Sequence, residues 1–290
     1  MRIAVFGATG VVGRALVPLL SEHNDVVAVS RHADGIRRRC LETATADVAD
    51  ARAVRRVLDG VNIAYYLVHS LGSPDFSERD RHGAANVARE AERAGVTQIV
   101  YLGGLGGDTP ELSPHLKSRI ETATALASGA VPVTTLRAAV VVGRGSAGFE
   151  TIVALVNRLP VMIAPRWVST ETQPIALADI ARYLEGVAGH EAAIGQSLDV
   201  GGPEVITYRE MIETVARLQG KRRLIVEVPV LTPRLSSYWL HLVTPVRAGV
   251  AMPLVEGLRN PTVARNDDIR KLVSIDLTSF EDAARAALWS

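Results

Sequence analysis

The sequence predicts an α/β protein: a doubly wound parallel sheet followed by a smaller C-terminal α+β region. Three observations carry that prediction. Short apolar runs alternate with helical stretches through the first half of the 290-residue chain. Hydrophobic residues make up 48% of the chain and aromatic ones only 4%, so the core is aliphatic, as in parallel sheets covered by helices. The first apolar run also ends in three evenly spaced glycines, with a helical pattern directly behind them.

The elements follow in order. Arg2 to Phe6 reads as a buried strand, and residues 11–20 as a helix. Asp25 to Ser30 is a second strand and Thr43 to Ala46 a short third one. A helix from Ala51 to Leu58 ends at Gly60, and Val61 to His69 is the fourth strand. Ser77 to Gly95 is a long Ala-rich helix, and Val96 to Gly103 the fifth strand. Pro114 to Ala127 is the next helix, and Val131 to Val142 one unbroken sixth strand. Such alternation implies right-handed βαβ crossovers.

After Gly143-Arg144-Gly145 the pattern changes. Helices Phe149 to Leu159, Leu177 to Val187 and Tyr208 to Gly220 are separated by short strands near Ser197 to Val200 and Leu224 to Val228. The chain therefore divides into residues 1–145, the sheet domain, and residues 146–290, a cap that would supply a small-molecule pocket over the carboxyl ends of the strands.

Composition narrows the function classes. With 32 Lys and Arg against 31 Asp and Glu, nothing argues for a nucleic-acid partner. The lone Cys40 forms no intrachain disulfide, which fits a reducing cytosol. The apolar start lacks a basic leader and is broken by glycines, so no signal peptide is expected. His241, Pro245, Arg247 and Pro253 interrupt the apolar stretch Ser237 to Val255, so no membrane span is expected and the protein should be soluble and cytoplasmic. None of the seven histidines has metal-ligand spacing. His82 lies in Glu78-Arg79-Asp80-Arg81-His82, which reads as a solvated helical face with internal ion pairs.

The glycine turn carries the first functional reading. Gly7 allows backbone angles that a Cβ would forbid, Gly10 allows close approach of a diphosphate, and Gly13 allows the helix to pack on the strand. Thr9 lies within the turn, and Val11, Val12 and Gly13 would present first-turn amides and the positive end of the helix dipole to the phosphates. The second strand runs out into Arg31 with no carboxylate at its tip, and Arg37, Arg38 and Arg39 lie close behind. A guanidinium there grips a 2′-phosphate that a carboxylate would repel, which favours NADP over NAD. Otherwise Arg31 is an ordinary solvated loop residue. Asp47, after the third strand, either reaches the adenine or serves as a helix N-cap or turn residue.

With these positions in place, the chain resembles the short-chain dehydrogenase/reductase superfamily over essentially its whole length. It is most similar to atypical or extended members grouped as NmrA-like or NAD-dependent epimerase/dehydratase proteins. The resemblance rests on Gly7-Ala8-Thr9-Gly10-Val11-Val12-Gly13, Asp47-Val48, Ile99 to Gly104, Leu136-Arg137 with Val142-Gly143, Gln173-Pro174-Ile175 before Asp179-Ile180-Ala181, and Gly201-Gly202-Pro203 before Thr207-Tyr208. The segment from Leu231 through Ser237-Tyr238-Trp239 to Leu258-Arg259-Asn260 resembles a bacterial subgroup. The resemblance implies a Rossmann-type fold and adds Val48 and Val68 to the cofactor contacts.

The departures from the family bear on mechanism. Its oxidoreductases use a serine after the fifth strand and a Tyr-x-x-x-Lys on the next helix. Here Tyr101-Leu102-Gly103-Gly104 puts glycine at the serine position. Alignment on Glu121 puts His115 where tyrosine belongs and Arg119 where lysine belongs. Four residues apart, these two share a helix face, so Arg119 could hold cofactor ribose or phosphate while His115 exchanges a proton. The bland alternative is a surface histidine near a helix start. His69 and Ser70 follow the fourth strand, where they either orient substrate or only bond within their turn. Tyr65 and Tyr66 are adjacent and should pack on opposite faces of the sheet.

The apolar segment beyond Leu231 admits core packing, a pocket lid, a subunit contact or a membrane surface. Ala84, Ala85, Ala88 and Ala91 fit either a homodimer helix or one that covers the sheet. The leading expectation is an NADP(H)-dependent oxidoreductase acting on a small or medium, apolar carbonyl or quinone-like compound. The alternative is a non-catalytic NADP-binding redox sensor or assembly protein.

Overall fold

The computed structural model describes residues 1–32, 42–70, 73, 75–106, 112–228 and 260–289, with the backbone alone for Pro165 and Arg166. Arg37, Arg38, Arg39, Cys40, Leu71, Gly72 and the apolar segment from Leu231 to Leu258 lie outside the described residues.

The first half supplies strands β1 (Arg2–Phe6), β2 (Asp25–Ser30), β3 (Glu42–Thr45), β4 (Ile63–Tyr66), β5 (Gln98–Gly104) and β6 (Val133–Ala138). Helices α1 (Val11–Leu20), α2 (Ala51–Leu58), α3 (Phe76–Ala94) and α4 (Pro114–Leu126) lie between them. The chain then adds β7 (Val141–Val142), β8 (Val161–Pro165), β9 (Glu171–Thr172), β10 (Ile175–Ala176), β11 (Ser197–Val200), β12 (Ile206–Thr207) and β13 (Leu224–Val228). The accompanying helices are α5 (Ala147–Arg158), α6 (Leu177–Gly186), α7 (Tyr208–Leu218), α8 (Asp268–Leu272) and α9 (Phe280–Trp289).

Seven strands form one parallel sheet in the order β11-β6-β5-β4-β1-β2-β3. This is the expected doubly wound Rossmann-type α/β fold. Successive residues of each central strand enter opposite cores: Ile3 and Val5 face α1 and α6, whereas Ala4 and Phe6 face α2 and α3. Tyr65 and Tyr66 diverge as expected, their hydroxyls donating to the carbonyls of Leu184 (2.6 Å) and Asp80 (3.3 Å). Ala84, Ala88 and Ala91 are buried within the chain itself. A third core gathers α5, α7 and α9 around Phe149, Met211 and Phe280.

Three elements differ from the sequence expectation. The fourth strand ends at Tyr66, so His69 leaves the sheet in a loop. The sixth strand is two: β6 stays in the sheet, and the chain then turns off so that β7 pairs with β10. No glycine or proline marks that break between Ala138 and Val141; the carbonyl freed at Val140 is taken up by the Ile175 amide from far along the chain. Ser197 to Val200, expected in the smaller region, pairs instead with β6 as the seventh strand of the sheet. Among the described residues no helix is long and apolar enough to cross a membrane.

Candidate active site

In a parallel sheet all carboxyl ends share one edge, and the reversal of strand order around β1 opens a crevice there. Gly7 follows β1 with φ +91°, and a Cβ on it would stand 2.8 Å from the Leu67 carbonyl oxygen. The Gly7 and Ala8 amides both donate to the Val29 carbonyl at 3.2 Å, and the Gly10 amide closes the turn onto the Gly7 carbonyl at 2.9 Å. Arg14 donates to the Thr9 carbonyl at 2.6 Å. Gly10 is the N-cap of α1 and supplies no side-chain acceptor, so the first turn of the helix offers its amides outward. Gly10, Val11, Val12 and Gly13 line the crevice. The absence of side chains at Gly7, Gly10 and Gly13, with amides and a helix dipole beside them, fits a dinucleotide diphosphate.

The crevice continues into a cavity of about 490 Å³. Leu67 and His69 after β4, Leu102 to Leu105 at the end of β5, and His115 and Arg119 on α4 form its near side. Ile152 and Leu155 on α5, Trp167, and Tyr208 and Ile212 on α7 form an apolar far wall.

The first turn of α4 sets the histidines. The Ser113 hydroxyl accepts the Leu116 amide (3.3 Å) and Pro114 occupies the first helical position, a good start for a helix. His115 therefore lies in the first turn, with Arg119 one turn on along the same face. His69 Nε2 stands 3.3 Å from His115 Nδ1, the two rings inclined at 41°. On its other side, His69 Nδ1 stands 2.6 Å from Asp80 Oδ2, and the Ser70 amide donates to Asp80 Oδ1 at 2.8 Å. Burial pushes His115 down to about 3, helped by the charges of His69 and Arg119. Burial also lowers His69; Asp80 opposes the shift and Arg119 adds to it. Both imidazoles are therefore neutral at neutral pH, able to accept and pass a proton.

Asp80 corrects the sequence reading of residues 78–82 as a solvated face. Its neighbours Glu78, Arg79, Arg81 and His82 are exposed, but Asp80 is 1% exposed and holds the His69 loop. It falls on the buried stripe of α3 with Gly83, Ala84, Val87 and Ala91. That spacing was the available signal, and the surrounding charges masked it.

The other expected residues are spread more widely. Arg119 lines the cavity, lies 5.0 Å over the Tyr101 ring, and its guanidinium donates to the Leu102 carbonyl. Arg31 is exposed at the end of β2. Asp47 accepts the Ala49 amide at 2.9 Å within a turn, while Asp50 caps α2. Val48 is core, packed where a Cβ on Gly83 would come within 2.6 Å of it. Val68 is half-buried beyond β4, and the Ser70 carbonyl accepts the Ser73 amide at 2.9 Å. Thr9, Arg31, Asp47, Val48, Val68 and Ser70 lie outside the cavity lining. At the serine position, a Cβ on Gly103 would meet the Tyr101 ring at 3.3 Å, and one on Gly104 would meet Leu116 at 3.3 Å.

Residues 7–140 match a family described as NAD(P)H-binding. A Mycobacterium tuberculosis protein named as uncharacterized is 35% identical over 102 residues, which are 35% of this chain and 12% of that protein, so the match spans a small part of that relative. The (4-alkanoyl-5-oxo-2,5-dihydrofuran-3-yl)methyl phosphate reductase of Streptomyces griseus is 30% identical over 231 residues, covering 76% of this chain and 74% of the reductase. Among solved structures, an NADPH-dependent quinone oxidoreductase of Escherichia coli superposes with a TM-score of 0.78 at 21% identity, over 97% of this chain and 98% of that one. A turn shaped for a diphosphate, a doubly wound parallel sheet and this coverage agree: the chain belongs to a family of NAD(P)H-binding proteins that includes the Streptomyces griseus reductase.

Proposed function

We propose that this protein is an NADPH-dependent oxidoreductase that reduces an apolar carbonyl or quinone-like compound without the family's Ser-Tyr-Lys set. One observation carries the proposal: the glycine turn and the His69–His115 pair open onto the same cavity, whose far wall is apolar. In this reading residues 1–145 hold the cofactor and residues 146–290 supply most of the substrate side. When bound, the nicotinamide supplies a hydride. The chain's own residues bind, orient and protonate. First-turn amides of α1 hold the diphosphate, and Arg31 grips the 2′-phosphate. Ile152, Leu155, Trp167 and Ile212 exclude water from an apolar ring, and His115 Nε2 delivers the proton to the substrate oxygen. Arg119 keeps positive charge beside the ribose while its bond to the Leu102 carbonyl keeps it in place. By their names, the Streptomyces reductase acts on an alkanoyl-oxo-dihydrofuranylmethyl phosphate and the E. coli enzyme on quinones, both carbonyl compounds, although the first also carries a phosphate.

Fluorescence titration with NADPH and NADH, followed by NADPH oxidation with a panel of quinones and conjugated ketones, tests the proposal. We expect tighter NADPH binding and turnover that His115→Ala lowers at least about 100-fold, the scale of a lost general acid. A second reading, a cofactor-sensing protein, is favoured by glycine at both Gly103 and Gly104 and by the missing Tyr-x-x-x-Lys. Firm NADPH binding with no turnover across the panel would establish it instead.

A further inference from the structure

We propose that Asp80, His69 and His115 act as one proton-storing unit whose outlet to the substrate is His115 Nε2, with Asp80 as the positioning residue that sets its polarity. This deepens the oxidoreductase reading and rests on it for the direction in which the proton moves.

Three separate elements converge on the unit: α3 brings Asp80, the loop after β4 brings His69, and α4 brings His115. A buried carboxylate requires bonded partners, and Asp80 has one on each oxygen: the Ser70 amide on Oδ1 and His69 Nδ1 on Oδ2. A carboxylate only accepts, so it selects the His69 tautomer that carries its proton on Nδ1. Nε2 of the neutral ring is then a bare lone pair. His115 Nδ1 faces it at 3.3 Å and must be the donor, which leaves His115 Nε2 bare. In this resting form the unit is a base. One added proton reverses the chain. His69 Nε2–H donates to His115 Nδ1, His115 Nε2 carries a hydrogen, and the charge resides on His69 against Asp80. Burial and Arg119 disfavour a charge on either ring, but only His69 has the Asp80 carboxylate to offset part of that cost, so the added charge resides on His69.

The step balances. The substrate carbon gains a hydride, and the C–O π pair moves onto oxygen. That oxygen takes the proton of His115 Nε2, and the Nε2–H pair stays on nitrogen. His115 Nδ1 takes the proton of His69 Nε2, and His69 ends neutral with its Nδ1–H on Asp80. The unit has lost one proton, which it recovers from solvent once product leaves, because His69 keeps 22% of its side chain exposed. Among the described residues, the groups facing the unit are Arg119 from α4, the Tyr66 hydroxyl bonded to the Asp80 carbonyl, and the Tyr101 hydroxyl, which interacts with Asp80 and Arg119; Phe76 meets the His69 ring edge-on.

Multiple-bond ¹H–¹⁵N spectra of histidine-labelled full-length protein without cofactor, from mildly acidic to neutral pH, test this. The expected result is the Nδ1–H tautomer on both His69 and His115 at neutral pH. Asp80→Asn, which keeps the shape and removes the charge, should lower the His69 midpoint by about one to three pH units. The acid limb of acceptor reduction should move the same way, with KM for the acceptor unchanged. A proton on His69 Nε2 in the neutral wild-type ring, or a midpoint unmoved by Asp80→Asn, overturns the proposal. The wild-type tautomers settle the matter even if the variant does not fold. Correct tautomers without turnover on any acceptor would sink the oxidoreductase reading alone.

Discussion

Gly13 lies so close beneath the Gly7 carbonyl that a Cβ on it would stand 2.4 Å from that oxygen, and 2.7 Å from Ala8 Cα. Both obstacles are backbone, so neither can swing aside. Gly10 is different: its Cβ would meet only the Gly7 oxygen, at 3.2 Å. We therefore expect the two glycines to have separate tasks, Gly13 seating the helix and Gly10 leaving room for the ligand.

Gly13→Ala should accordingly destabilise the protein by about 1–3 kcal/mol, the usual scale of forced overpacking. Urea unfolding would show it as an earlier midpoint. Gly10→Ala should move that midpoint less and weaken NADPH binding more, as read by calorimetry. Equal unfolding midpoints for the two variants would contradict the division of tasks.

The proposed determinant of cofactor choice is Arg31, exposed where β2 ends. Hydrogen bonds to charged groups contribute about 1.5–3 kcal/mol, so Arg31→Glu should weaken NADPH about 10- to 100-fold and leave NADH nearly unchanged. Tryptophan fluorescence titrations measure both. An NADPH preference that survives the substitution would remove Arg31 from its role.

Acid stability should report the two half-buried imidazoles. His115 is pushed down from the ordinary 6.5 to about 3, and His69 is lowered as well. Between those limits the unfolded chain binds more protons than the folded one, so stability falls as pH falls from about 6.5 toward about 3. His115→Gln removes one of these groups and should flatten the decline. Denaturant midpoints of the two proteins across that window would diverge from parallel; parallel curves would count against a neutral, half-buried His115.

Much of the fold was legible because its signals are local. β2, α2 and β11 run over the same residues read from the sequence, and α1 starts directly behind its glycine turn. The division of the expected strand Val131 to Val142 was not legible, since its break depends on the Ile175 amide reaching Val140. The site was half legible. His69 and His115 announced themselves as chemistry at strand and helix ends, whereas Asp80 was hidden in a charged run.

By itself, the sequence determined the nucleotide turn and the order of strands and helices, because both follow from backbone freedom at glycine and from the short-range period of apolar residues. Tertiary structure alone decided that Asp80, His69 and His115 touch, and that Ser197 to Val200 completes the central sheet. Those contacts join residues 11, 46 and 62 positions apart in the chain, where no local propensity specifies distance and only the packing of helices on the finished sheet does.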